Sequence, residues 1–127
     1  MTRAVLDTSV LIGGGLGQVP GELAISSVSL AELTFGVLIA RTPEVRAARL
    51  SRLTTLGRLF DALPVDEAVA DSYGQLAAKV LEGGRQPRAR SMDLLIAATA
   101  HAHSATLYTR NVADLRGLEE LLDIRTA

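Results

Sequence analysis

Short apolar segments alternate with stretches of helical character along this chain, and that alternation narrows the fold more than any other feature. Ala4-Val5-Leu6, Ala24-Ile25 and Ala105-Thr106-Leu107-Tyr108 read as strands, and Ala62-Leu63-Pro64-Val65 as a brief extended piece. Ile124 is placed to add a last edge strand. Strands that alternate with helices form a mostly parallel sheet with helices on both faces. The expected class is therefore α/β. The length of 127 residues fits a single domain, 1–127, with no room for a second core.

The helical stretches carry their own punctuation. Residues 8–12 open a first helix, and Gly13-Gly14-Gly15 breaks it. Gly17, Pro20 and Gly21 interrupt any period before the second strand. Ser29-Leu30-Ala31-Glu32 matches a capping box, and the helix it opens runs to about Leu38. Thr42-Pro43-Glu44 starts another, with Val45, Leu50, Leu53, Leu56 and Phe60 as a loose apolar stripe. Asp66 caps a helix through Leu81, closed by Gly83-Gly84. Residues 85–90 read as a basic loop, and Ser91 as the cap of an apolar helix over 94–103. Residues 109–114 read as a turn and 118–122 as a short helical stretch.

Placed on such a sheet, four acids share one edge. Asp7 ends the first strand, and Glu32 lies in the first turn of the helix after the second. Asp93 opens the helix that leads into the 105–108 strand, and Asp114 follows that strand within a turn. Right-handed crossovers put all four at the carboxyl edge, where open α/β sheets bind their ligands. Each acid has an ordinary structural role open to it, as a cap or a dipole partner. Those roles do not predict a shared edge. Two like charges about 4 Å apart repel by roughly 4 kcal/mol at an effective dielectric of 20. A divalent cation removes that conflict, and an all-oxygen donor set favours Mg²⁺ or Mn²⁺ over zinc.

Thr8 and Ser9 follow Asp7, either to cap a helix or to hold a water at the site. Thr109, Arg110 and Asn111 precede Asp114, either as turn residues or as phosphate ligands. Arg85, Arg88 and Arg90 lie just before Asp93, either as a solvated loop or as a strip that engages an RNA backbone. His101 and His103 fall at the far end of their helix and read as dipole partners, not ligands. The triple glycine lacks the spacing of a nucleotide-binding loop.

Composition sets the outer bounds. Apolar residues make up 48% and aromatics 3%, so the core must come from Leu, Val, Ile and Ala. The absence of cysteine excludes disulfides, thiol nucleophiles and thiolate zinc sites. No apolar run is long enough to cross a bilayer and no secretory signal is visible, so a cytoplasmic location is expected. The net charge of −1 gives no global field for nucleic acid. Lys79 is the sole lysine, and arginine forks suit phosphate better than a point charge does.

Four segments resemble the motifs of PIN domains, in order and over nearly the whole chain. Val5-Leu6-Asp7-Thr8-Ser9-Val10-Leu11-Ile12 is similar to their opening signature. Ser29-Leu30-Ala31-Glu32-Leu33 with Gly36 resembles the second motif, and Asp93-Leu94-Leu95-Ile96-Ala97-Ala98-Thr99-Ala100 the third. Leu107-Tyr108-Thr109-Arg110-Asn111-Val112-Ala113-Asp114-Leu115 resembles the fourth. Size and layout resemble the VapC toxins of bacterial toxin–antitoxin pairs. The resemblance implies an endoribonuclease using Mg²⁺ or Mn²⁺, with Asp7, Glu32 and Asp93 as core ligands and Asp114 completing the site. It also implies a homodimer and a VapB-type antitoxin whose C-terminal segment covers the active site. The segment between Asp7 and Glu32 is shorter and richer in glycine than in such toxins, so a reduced first helical hairpin is expected. Leu115 stands where they often carry an aromatic residue.

Two rival classes stay in view. A phosphotransfer switch wants a lysine beside its acids, and Lys79 is badly placed for it. A phosphatase of the DxD type wants an aspartate where Ser9 stands. A non-catalytic module that keeps the fold and binds RNA or protein is the other alternative.

Overall fold

A computed structural model describes residues 3–127. Five strands form one sheet: β1 (Arg3–Leu6), β2 (Glu22–Ser26), β3 (Ala62–Leu63), β4 (Thr106–Thr109) and β5 (Ile124–Thr126). Their order is β3-β2-β1-β4-β5, and every pairing is parallel. Leu6 aligns with Ile25 on one side and Tyr108 on the other, so the strands at the centre end level. That register puts Asp7, Ser26 and Thr109 side by side at the carboxyl edge.

The helices are α1 (Thr8–Gly13), α2 (Ser27–Leu38), α3 (Pro43–Leu59), α4 (Glu67–Glu82) and α5 (Ser91–Ala102). Alternation along the central strands divides the core. Val5 and Leu107 point into one cluster with Val69, Leu76, Leu94 and Ile96 of α4 and α5. Ala4, Leu6 and Tyr108 point into the other with Val10, Leu11, Leu33 and Leu56 of α1, α2 and α3. Both faces of the sheet are thereby covered, as a parallel sheet requires. α4 and α5 run antiparallel. His101 meets Ser72 at one end, and Val80 and Leu94 flank one cleft at the other.

Several caps are where the sequence predicts them. Asp7, Thr42 and Asp66 each accept from a backbone amide at the start of a helix. Others are not. Ser26 caps α2 by accepting from the Val28 amide, so Ser29 lies inside the helix and no Ser29–Glu32 capping box forms. Glu32 consequently stands in the second turn of α2, not the first. Ser91 belongs to α5 itself, whose N-cap Arg90 makes no side-chain cap; the Ser91 hydroxyl donates to Arg88 O instead. Residues 85–90 include a 3-10 turn, Pro87–Arg90. Residues 118–122 form turns and no helix, because Leu118 and Leu122 are drawn into the core over too short a span. Of the expected α3 stripe only Leu56 is buried, while Val45 and Leu50 remain exposed. The short α1 leads into a 3-10 turn, Leu16–Gln18, before β2 begins.

Candidate active site

Asp7 is buried at the centre of the carboxyl edge. Its amide donates to Tyr108 O at 2.9 Å, which ties the end of β1 to β4. Its Oδ2 accepts three hydrogen bonds: from the Ser9 amide at 3.3 Å, Ser9 Oγ at 2.6 Å and Thr109 Oγ1 at 3.0 Å. Those hydroxyls are themselves fixed by the main chain. The Arg110 amide donates to Ser9 Oγ, and the Asn111 amide to Thr109 Oγ1. With Oδ2 saturated, Oδ1 has no hydrogen-bond partner among the described residues.

Glu32 is held in a similar way. Thr8 Oγ1 donates to Glu32 Oε1 at 2.7 Å. Because that uses Thr8's one proton, the contact of 2.9 Å between Thr8 Oγ1 and Ser29 Oγ has Ser29 as donor. Ser29, expected only as a cap, is thus a buried positioning residue beneath Thr8 and Glu32. Its position three residues before Glu32, on the same helical face, was the available signal.

Asp114 lies in a 3-10 turn, Val112–Leu115, and its Oδ1 pairs with Arg90 Nη2 at 3.2 Å. Arg85 donates to Asp114 O and Arg116 O, fixing the main chain of the same turn. Asp93, in the first turn of α5, forms no hydrogen bond or ion pair among the described residues. Its pKa is raised above the ordinary 3.8, first by burial and then by the negative charges of Asp7, Glu32 and Asp114, with Arg90 opposing. Asp7, Glu32 and Asp114 therefore all act on the Asp93 carboxyl. Among the described residues no three acids or histidines close into a finished ligand group. Three of the four carboxylates keep one oxygen clear of their protein donors, and Asp93 keeps both. An all-oxygen set with such a charge conflict fits a hard divalent cation.

The flanking residues divide. Thr8, Ser9 and Thr109 serve the acids directly. Asn111 contributes its amide, and Arg88 makes no contact with an acid among the described residues. Arg110 Nη2 donates to Gly14 O at 3.2 Å, and its guanidinium fills the space that a Cβ at Gly13 would need. The triple glycine is thus a seat for Arg110 as well as a helix terminator. A groove of about 500 Å³ opens beside Glu32, walled by Ile12, Leu33, Val45, Arg49 and Arg52. Arg46 and Arg49 also donate to Leu38 O and Gly36 O, the last carbonyls of α2. The 45–48–49–52 spacing marks one helical face and could have revealed this wall.

Residues 4–116 match the PIN domain. The chain belongs to the PIN-domain family. Within it, the chain resembles the VapC group. It is 38% identical over 113 residues to "Ribonuclease VapC5" of Mycobacterium tuberculosis, covering 84% of this chain and 82% of that protein. It is 37% identical to "Ribonuclease VapC4" of the same organism, covering 86% of each. Among solved structures, the VapBC-5 toxin–antitoxin complex of Mycobacterium tuberculosis superposes with a TM-score of 0.83 at 34% identity, over 99% of this chain and 98% of that one. The sheet order and the expected PIN fold agree.

Proposed function

We propose that this PIN-domain protein is an endoribonuclease that hydrolyses RNA phosphodiesters with Mg²⁺ or Mn²⁺, as the toxin of a toxin–antitoxin pair. The observation that carries this reading is that the charges of Asp7, Glu32 and Asp114 all bear on the partly buried Asp93 carboxyl. The names of the relatives and the toxin–antitoxin character of the similar complex support the substrate class and a VapB-type antitoxin partner. A homodimer belongs to the same proposal.

Asp7, Glu32 and Asp93 would hold the cation, with Asp114 completing the set. When bound, the cation supplies charge neutralisation on the phosphoryl oxygens and makes an attacking water more acidic. The protein's own residues do the rest. Ser9 and Thr109 hold Asp7 by Oδ2, leaving Oδ1 free of protein donors among the described residues. Thr8 fixes Glu32 by one oxygen, leaving the other to orient a water and take its proton. The water oxygen bonds to phosphorus as the P–O3′ bond breaks. The products are a 5′-phosphate and a 3′-hydroxyl, and the departing oxygen takes a proton from solvent. Arg110 and Arg88 flank the edge as phosphate ligands.

The test is cleavage of a panel of structured RNAs by purified protein with Mg²⁺, Mn²⁺ or chelator. Asp93→Asn should lose divalent-dependent cleavage and keep its circular dichroism spectrum. Full activity in that variant overturns the reading, and RNA binding without turnover in the unaltered protein would make it a binding module.

A further inference from the structure

Two arginines from the stretch before α5 converge on one turn, and they do different work. Arg85 reaches main-chain oxygens, Asp114 O at 3.3 Å and Arg116 O at 3.2 Å, and so braces the turn without touching a carboxylate. Arg90 reaches a carboxylate, Asp114 Oδ1 at 3.2 Å, and both side chains are partly open to solvent, 42% and 33% exposed. Among the described residues Asp114 is the one member of the acidic quartet that holds an ion pair; Asp7 and Glu32 hold only hydroxyl and amide donors there. The two arginines line a small cleft of about 200 Å³ with Val80, Gln86, Ala89 and Leu94, and that cleft opens onto Asp114. An exposed, single-contact arginine–carboxylate pair is worth about 0–1 kcal/mol, weak enough to be exchanged. A phosphodiester beside it offers the guanidinium an acceptor that two parallel hydrogen bonds can hold, against the single contact to Asp114.

We propose that Arg90 is an exchangeable counterion. It neutralises Asp114 in the free protein and moves to a backbone phosphate when RNA binds, so that Asp114 turns to the divalent cation only with substrate in place. This rests on the acidic quartet being a cation site, and it assigns Arg90 as the positioning residue that couples cation to substrate. Because the coupling is an equilibrium one, it must be reciprocal.

The experiment measures the two ligands separately. Mn²⁺ binding is followed by electron paramagnetic resonance without RNA. Binding of a labelled oligouridylate is followed by fluorescence anisotropy in chelator, where no cleavage occurs. Arg90→Gln should bind Mn²⁺ about two- to fivefold more tightly. It should bind the oligonucleotide more weakly, with the salt slope reduced by about one. Arg90→Lys should fall between it and the unaltered protein in both. General loss of structure would weaken both ligands and so cannot imitate the opposite signs. Arg88→Gln removes the same charge from the same loop without touching Asp114, and should weaken RNA while leaving Mn²⁺ unchanged. Unchanged or weaker Mn²⁺ binding in Arg90→Gln overturns the exchange, as does equal tightening in Arg88→Gln. If the unaltered protein binds no Mn²⁺, or Asp93→Asn binds it equally well, the cation site itself falls and the exchange with it.

Discussion

The two edges of the sheet use the same residue types to opposite ends. At the amino edge, Thr106 donates to Asp123, Arg125 pairs with Asp123, and Arg3 meets His103. At the carboxyl edge, Thr109 donates to Asp7, while Asp93 makes no hydrogen bond or ion pair among the described residues and feels three like charges against Arg90. Arg125 heads the causes that lower the Asp123 pKa, whereas burial heads those that raise Asp93. One edge cancels its charge locally and gains a little stability. The other concentrates charge of one sign, a cost that folding alone does not explain and that the cation of the proposed function would offset.

The contrast breaks most visibly in activity. Asp7→Asn and Asp93→Asn are each expected to lower cleavage at least 10²–10³-fold. Asp123→Asn, the same chemical change at the other edge, should stay within about twofold. A comparable loss in Asp123→Asn, measured under single-turnover conditions, would show that the assay reads folding and not the site.

Strand β4 sharpens the comparison, because it carries a buried threonine at each end. Thr109→Val removes a donor from Asp7 Oδ2 and should lower cleavage about tenfold or more by loosening that carboxylate. Thr106→Val removes a donor from Asp123 and should leave cleavage intact. Both should cost about 0.5–1.5 kcal/mol by chemical denaturation, since each deletes one hydrogen bond. Equal kinetic effects from the two would remove the distinction between edges.

The acidic edge was legible because strand ends and helix starts are strong local signals, and parallel topology turns them into a place. Asp7, Glu32, Asp93 and Asp114 needed only that geometry. The α2 boundary was not legible in the same way. Ser26, Ser27 and Ser29 can all cap, and the choice falls to Ser26 because β2 continues pairing through it, opposite Leu63. A nonlocal hydrogen bond therefore decided a local question. The 118–122 segment misled for a related reason: its leucines satisfy the core from a turn. The pairing of Arg90 with Asp114 depends on a 3-10 turn packing beside another, which no spacing in the chain encodes.

A smaller effect concerns stability without metal. The raised Asp93 pKa means that its charge opposes folding, and this cost sets in as pH rises from the ordinary aspartate value through the folded one. Asp93→Asn should therefore raise Tm in chelator at neutral pH by about 2–5 °C, the equivalent of roughly 0.5–1 kcal/mol after solvent screening. Below the ordinary aspartate value the gain should vanish, because Asp93 is then protonated in both states. A loss of stability at neutral pH would mean that the acid serves the fold.

The smallest effect belongs to Asp123, and it has the opposite sign. Its lowered pKa means that the charged form favours folding, fully above the unfolded value and progressively less as pH falls through the folded one. Asp123 and Arg125 are both well exposed, so water and salt screen most of their attraction. Asp123→Asn should lower Tm slightly at neutral pH and low salt. The difference should shrink both in high salt and below the folded Asp123 value. Asp93→Asn should lose its effect at low pH too, but from a gain and not from a loss. Thermal scans of the two variants across that pH range should therefore approach the unaltered protein from opposite sides, and convergence from the same side would show that the two edges do not differ in the way their partners require.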